Sequence, residues 1–197
     1  MDPISFYNKY AKIYFDRTIG LNMEEPLDIF TKYLPDNAVI LDLGCGSGRD
    51  SLNFIESGYD VTAIDGAEEL CKLASIHIGQ DVLQMKFTEL NFNEVFDGIW
   101  ASASLLHCTL DELDDILKRI IHCLKPGGIL YMSFNYGENA GVKNDLYYTE
   151  FNTKKMKELI SKYSELRMTD IWKSHDVLDV KGEDFMLNVL VKRISVN

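Results

Sequence analysis

The sequence is poor in the features that hold exported or metal-dependent proteins together. It has 4 cysteines, Cys45, Cys71, Cys108 and Cys123, at irregular spacing and without a Cys-x-x-Cys pair. That pattern argues against a disulfide framework and against a zinc site, and no His-x-x-x-His pair or carboxylate cluster offers another metal-ligand spacing. The opening Met1-Asp2-Pro3-Ile4-Ser5-Phe6-Tyr7 has no basic stretch and no apolar stretch, so no secretory signal is expected. No window nears the run of about 18 apolar residues that a membrane span needs. The expectation is a cytoplasmic protein with reduced thiols and no membrane partner. Basic residues are scarce too: 20 Lys+Arg stand against 31 Asp+Glu, a formal net charge of −11. From Phe87 to Leu117 there is no Lys or Arg, while Glu89, Glu94, Asp97, Asp111, Glu112, Asp114 and Asp115 are acidic. Such a field repels phosphate backbones, so nucleic acid is not an expected partner.

What is present is an ordinary globular composition, 46% hydrophobic and 26% charged over 197 residues. That length suits one domain with its own core. Apolar runs alternate with amphipathic segments, which predicts an α/β protein with a doubly wound, mostly parallel sheet. Strands are expected at 38–43, 60–64, 82–87, 96–101 and 129–134, with a final pair at 166–172 and 186–194. Helices are expected at 51–56, 67–77, from Thr109 onward and at 151–163. Thr109-Leu110-Asp111-Glu112 has the form of a capping box, and Leu113, Ile116, Leu117, Ile120 and Ile121 follow at helical spacing. Lys125-Pro126-Gly127-Gly128 is expected as a turn, and 136–148 as a long polar loop. Residues 1–34 are helical and aromatic-rich and stand outside the repeat, as a lid on a core at 35–197.

The informative stretch is Leu41-Asp42-Leu43-Gly44-Cys45-Gly46-Ser47-Gly48-Arg49-Asp50. It leaves a strand and opens a helix, where ligands of doubly wound sheets bind. Its spacing is Gly-x-Gly-x-Gly, with Arg49 where the third glycine of a dinucleotide fingerprint would stand, which suits a ligand without a pyrophosphate. Asp65, at the tip of the second strand, can accept the hydroxyl hydrogens of a ribose through charge-assisted bonds. It can equally cap the helix that begins after it; the glycine turn beside it favours the ribose. Gly66 and Ala67 leave room for a flat base.

On these residues the chain resembles the class I S-adenosylmethionine-dependent methyltransferases. The resemblance rests on Asp42 to Gly48, on Asp65, on Phe96-Asp97-Gly98-Ile99-Trp100 and on Leu124-Lys125-Pro126-Gly127-Gly128. They stand in the family's order over residues 35–135. A narrower likeness, to small tellurite-resistance-like members, rests on Gly48-Arg49-Asp50-Ser51-Leu52 alone. The resemblance implies a Rossmann-like fold of seven strands in the order 3-2-1-4-5-7-6, the last antiparallel. It implies S-adenosyl-L-methionine as cofactor, met by Asp42, Gly44, Cys45, Gly46 and Gly48 on the first turn. Asp65 would hold the ribose and Gly66 and Ala67 would border the adenine. The place of an acidic residue that receives the adenine amino group falls on Lys86, which cannot accept, so the backbone of Lys86 and Phe87 would take that part. Ala101 would offer its carbonyl to the cofactor's ammonium group.

Ala101-Ser102-Ala103-Ser104 lacks the Asn/Asp-Pro-Pro-aromatic run of enzymes that methylate base amines, and a small-molecule acceptor is expected instead. Ala11-Lys12-Ile13-Tyr14 matches a segment that closes over the cofactor in related enzymes. Tyr7, Tyr10 and Tyr14 share one helical face, however, as a core stripe would; Tyr14 is read as lid and Tyr10 as core. If the acceptor arrives protonated, His107 or Tyr14 is the candidate base, and His107 could equally be a structural residue bonded to a loop. A catalytically silent cofactor-binding or scaffolding protein is the alternative function.

Overall fold

A computed structural model describes residues 1–179 and 181–195, so residues 196 and 197 at the end of the expected core lie outside the described residues. Six helices are described: α1 (Pro3–Thr18), α2 (Glu24–Thr31), α3 (Arg49–Glu56), α4 (Glu68–Ile78), α5 (Leu110–Cys123) and α6 (Thr153–Ile160). The strands are β1 (Val39–Leu43), β2 (Asp60–Asp65), β3 (Leu83–Gln84), β4 (Phe96–Ala101), β5 (Leu124–Asn135), β6 (Ala140–Lys143), β7 (Leu146–Thr149), β8 (Leu166–His175) and β9 (Phe185–Arg193). Seven of them form one sheet in the order β3-β2-β1-β4-β5-β9-β8. Numbered among themselves these strands run 3-2-1-4-5-7-6, as expected. The sheet is parallel from β3 to β5, and β9 is antiparallel to both its neighbours.

The sheet is covered on both faces, and the period-2 alternation of its strands shows how. Leu41, Leu43, Ile99, Ala101, Leu130 and Met132 point into a cluster with α5 and α6. Ile40, Trp100, Ile129 and Tyr131 point the other way, into a cluster with Phe30 of α2 and Phe54 of α3. Leu113, Ile116, Leu117, Ile120 and Ile121 are buried along α5, and each full burial of such a side chain is worth about 1.5–3 kcal/mol. The Thr109 and Glu112 side chains cap that helix reciprocally.

Four expectations are corrected. The third strand is two residues long; after Gln84 the chain leaves the sheet and makes a 3-10 turn at Phe87–Glu89. Lys125-Pro126-Gly127-Gly128 is no separate turn but lies within β5, as a bulge: β4 pairs Phe96 with Leu124 and Gly98 with Ile129, so the extra residues loop out through Gly127 at φ +86°. Residues 136–148 are no open loop but carry the β6–β7 hairpin, turned by Asn144 and Asp145 at φ +51° and +66°. The helix after Phe151 begins at Thr153, capped by Asn152, and ends at Ile160, short of Tyr163.

The segment before residue 34 does two different things. α2 belongs to the core: Phe30 is fully buried with its ring 5.2 Å from that of Trp100, and a Cβ on Gly98 would come within 2.7 Å of it. The glycine of the Phe96–Trp100 motif is therefore where α2 meets the sheet. α1 lies instead over the carboxyl ends of the strands, against α4; Asn8 Oδ1 accepts the Glu69 N–H at 3.0 Å in the first turn of α4. Among the described residues, no helix is long and apolar enough to cross a membrane.

Candidate active site

A cleft of about 290 Å³ opens at the carboxyl ends of β1, β2 and β4, with α1 over it. Its floor is made by two turns that hold each other. Gly44 and Cys45 N–H both donate to Ile64 O at 2.9 Å. The Asp65 carboxylate then joins the turns, Oδ2 accepting the Gly46 N–H at 3.0 Å and Oδ1 the Ala67 N–H at 2.8 Å. Asp65 is not the cap of α4, which is Ala67 without a side-chain bond; its carboxylate instead ties Ala67 to the glycine turn. A carboxylate offers about four lone pairs, so two remain for a ligand. Burial pushes its pKa up, against the pull of those N–H groups.

The glycines are needed for two different reasons. Gly44 and Gly46 line the cleft at φ +80° and +57°, and a Cβ on Gly44 would come within 2.6 Å of Ser104 Cβ. Gly48, at φ +78°, lies outside the cleft; a Cβ there would meet Ile78 Cγ2 at 2.8 Å, so it packs α3 against α4. Asp42, Cys45 and Ala101 are likewise buried away from the cleft lining. Asp42 accepts the Ser51 hydroxyl at 2.5 Å, and burial together with Asp50 pushes its pKa up to about 7. Next to it, Asp50 receives Arg49 Nε and Nη2 at 2.7 and 2.8 Å and the Trp100 indole N–H at 2.9 Å.

Gly66, Ala67, Lys86 and Phe87 line the cleft, as does Tyr14. The Lys86 N–H is already taken by Glu89 Oε2 at 2.8 Å. Tyr14 lies over Gly46, its Cε1 3.1 Å from where a Cβ would stand, and burial pushes its phenol up to about 12. Tyr10 does not enter the core. α1 loses helical geometry there (φ −111°, ψ 17°), and the ring turns to Phe6 at 4.8 Å. The tyrosine that joins Tyr14 at the cleft is Tyr7, their rings 5.0 Å apart.

His107 also lines the cleft, after β4, and bridges the two parts of the roof. Its Nδ1 is 2.9 Å from Tyr147 O in the hairpin and its Nε2 2.9 Å from the Tyr7 hydroxyl on α1. Its ring also lies 4.7 Å from that of Tyr148. Burial lowers its pKa below the ordinary histidine value, partly offset by the Tyr147 bond. Sequence reasoning missed Tyr7 because a helical aromatic stripe reads as core until its partner, 100 residues away, is known. It also passed over Ser104, whose Oγ is buried beside Gly44 with no hydrogen-bond partner among the described residues. An orphaned hydroxyl, free carboxylate lone pairs and turns without Cβ atoms fit a polar, uncharged-sugar ligand such as the nucleoside of S-adenosylmethionine.

Comparison with known proteins points to methyltransferases. Residues 40–128 match the methyltransferase domain family. A protein of Staphylococcus carnosus (strain TM300) named "Uncharacterized methyltransferase" is 29% identical over 158 residues, 75% of this chain and 76% of that protein. The ubiquinone biosynthesis O-methyltransferase of Xylella fastidiosa (strain 9a5c) is 34% identical over 115 residues, 54% of this chain, and the match spans 46% of that protein. Among solved structures, the Burkholderia thailandensis 1,6-didemethyltoxoflavin-N1-methyltransferase, with bound 1,6-didemethyltoxoflavin and S-adenosylhomocysteine, superposes with a TM-score of 0.78. It is 25% identical, and the alignment covers 98% of this chain and 86% of that one. Residues 40–128 thus carry a methyltransferase domain, and the fold is that of the class I S-adenosylmethionine-dependent methyltransferases, whose cofactor is S-adenosylmethionine.

Proposed function

We propose that this protein methylates a small organic molecule held between the two-turn floor and the roof formed by α1, His107 and the β6–β7 hairpin. The observation that carries the reading is the Asp65 brace: one carboxylate joins the glycine turn to the start of α4 and keeps lone pairs on the cleft side. Gly44 and Gly46 let the ligand approach the backbone, Asp65 binds the ribose, and Gly66 and Ala67 border the base. α1 closes over this part through Tyr14. The cofactor supplies a methyl group already activated on a sulfonium with a neutral leaving group. The protein's main contribution is therefore alignment, which can supply about 7–11 kcal/mol. Tyr14 and the glycine turn fix one reactant, and the roof fixes the other. His107, neutral because its pKa is lowered, is the proton acceptor for an acceptor molecule that arrives protonated. A small-molecule acceptor is supported by the Burkholderia relative, which holds 1,6-didemethyltoxoflavin beside S-adenosylhomocysteine, and by the name of the Xylella relative.

The test is calorimetry with S-adenosylmethionine and S-adenosylhomocysteine. Asp65→Ala is expected to weaken both at least about tenfold, some 1.4 kcal/mol, in protein that remains folded. An unchanged affinity would refute the ribose role. A screen of small molecules with methyl-labelled cofactor then distinguishes an enzyme from a silent binding protein.

A further inference from the structure

The hydrogen-bond directions in the roof are fixed. Tyr147 O is a carbonyl and can only accept, so His107 carries its proton on Nδ1 and donates it there at 2.9 Å. Nε2 then presents a lone pair and accepts from the Tyr7 hydroxyl, also at 2.9 Å. The basic nitrogen of His107 is therefore covered by a phenol, and that phenol also lines the cleft. Burial pushes the Tyr7 phenol far above its ordinary value, with Tyr14, Tyr148 and Asp65 adding to the shift, so Tyr7 can pass a proton but does not hold a negative charge. The titratable groups facing this pair are Tyr14 on α1, Asp65 on the floor, and Tyr148, with Asp176 near it, on the hairpin side.

The cleft also limits the acceptor. Its carboxylates are Asp2, Asp65 and Glu112, against one cation, Lys86, so an acceptor that is already an anion is disfavoured. Tyr7, Tyr14 and Phe87 give it aromatic walls, which suit a flat molecule.

We infer that Tyr7 is a catalytic residue that relays a proton from the acceptor to His107, and that the acceptor is a neutral aromatic molecule carrying the reacting group as O–H or ring N–H. The acceptor's proton passes to Tyr7 Oη as the Tyr7 proton passes to His107 Nε2. The electron pair left on the acceptor atom becomes the new bond to the methyl carbon, and the old bonding pair of that carbon leaves with the sulfur. The imidazolium keeps its Nδ1–H on Tyr147 O and returns its extra proton to solvent. Tyr7 is neutral before and after, and His107 is the proton sink without touching the acceptor. This rests on the methyltransferase reading above and adds to it the substrate class and the residue that meets the substrate.

The probe is 4-nitrophenol, a neutral aromatic hydroxyl whose phenolate is yellow, added to protein saturated with S-adenosylhomocysteine. At a pH where the free probe is colourless, the wild-type protein is expected to bind it as phenolate, its apparent ionisation favoured by about tenfold or more. Tyr7→Phe and His107→Gln are each expected to bind S-adenosylhomocysteine normally and to lose the yellow band. In parallel, Tyr7→Phe is expected to raise the pKa of His107, followed by NMR of the imidazole, because the bond that stabilises its neutral form is gone. A yellow band that survives Tyr7→Phe overturns the relay. One that survives His107→Gln overturns the proton sink. Wild-type protein that binds S-adenosylhomocysteine but not the probe, or binds the probe without ionising it, overturns the substrate class. Wild-type protein that binds no S-adenosylhomocysteine overturns the methyltransferase reading itself, and the two failures are told apart on that ground.

Discussion

Most of the bonds that close the floor of the cleft join residues close in the chain, the Trp100–Asp50 bond across 50 residues being the exception, whereas those that close its roof join distant residues. On the floor, Asp65 reaches Gly46 across 19 residues and Ala67 across 2, and Asp50 binds the residue before it. In the roof, Tyr7 meets His107 across 100 residues, His107 meets Tyr147 across 40, and Thr149 meets Cys108 across 41. Short closures cost little chain entropy, and long ones must be supported by packing. The difference teaches that cofactor binding and acceptor handling are separable here. Damage to the floor should cost global stability and cofactor affinity together, and damage to the roof should loosen the roof locally and spare cofactor affinity.

The hardest test of that division is Asp50→Ala. It leaves the Trp100 indole N–H without its acceptor, and leaves the partly buried Arg49 without its bidentate partner. Removing one partner of such a pair costs about 3–5 kcal/mol. Urea denaturation should show a loss of that size at unchanged slope. A loss under about 1 kcal/mol would mean that the floor is no stiffer than the roof, and the comparison would fail.

The floor should also carry a pH signature. Asp42 is pushed from its ordinary 3.8 up to about 7 by burial and by Asp50, with Asp65 adding to the shift and Ser51 and Arg49 opposing it. Below pH 3.8 the carboxyl is protonated in both the folded and the unfolded chain and contributes no slope. Between 3.8 and about 7 the unfolded chain releases the proton while the folded chain keeps it, so stability falls as pH rises. The slope is at most about 1.4 kcal/mol per pH unit, and it ends once the folded group has also ionised. Asp42→Asn leaves an oxygen for the Ser51 hydroxyl and should flatten that part of the curve. Denaturation midpoints across pH 4–7 that match the wild type would remove Asp42 as the titrating group.

The same contrast explains what was legible in the sequence. The Thr109 cap, the glycine turn and the place of Asp65 were readable because short-range rules set them: period, capping chemistry, positive φ; the strand order came from the family resemblance. Gly48 and Gly98 stood out in the sequence for the right pattern, but their role is packing, against Ile78 and Phe30, and only the folded chain shows that. The roof was hidden for the complementary reason. Tyr7 looks like its neighbour Tyr10 until the break in α1 and the position of His107 separate them. The hairpin was hidden because Asn144-Asp145 lacks the Asn-Gly signature, although both residues adopt positive φ. β3 came out longer in the sequence because Met85, Lys86 and Phe87 continue an alternating pattern that the sheet itself does not continue.

The smallest and most selective effect should come from Thr149→Val. The Thr149 hydroxyl donates to Cys108 O at 2.7 Å in a buried position and ties the end of β7 to the segment that follows His107. Valine keeps the shape and removes the donor, so the carbonyl loses a buried partner at a cost of about 1–2 kcal/mol. Because the bond belongs to the roof, the loss should be local. Hydrogen exchange should speed up at the amides of Ala140–Lys143 and Leu146–Thr149, while those of β1 and β4 keep their protection. Affinity for S-adenosylhomocysteine should stay at the wild-type level, since neither Asp65 nor the glycine turn is touched. Faster exchange spread evenly over the sheet, or a parallel loss of cofactor affinity, would mean that roof and floor open as one unit. The relay through Tyr7 and His107 would then be coupled to cofactor binding rather than built on top of it.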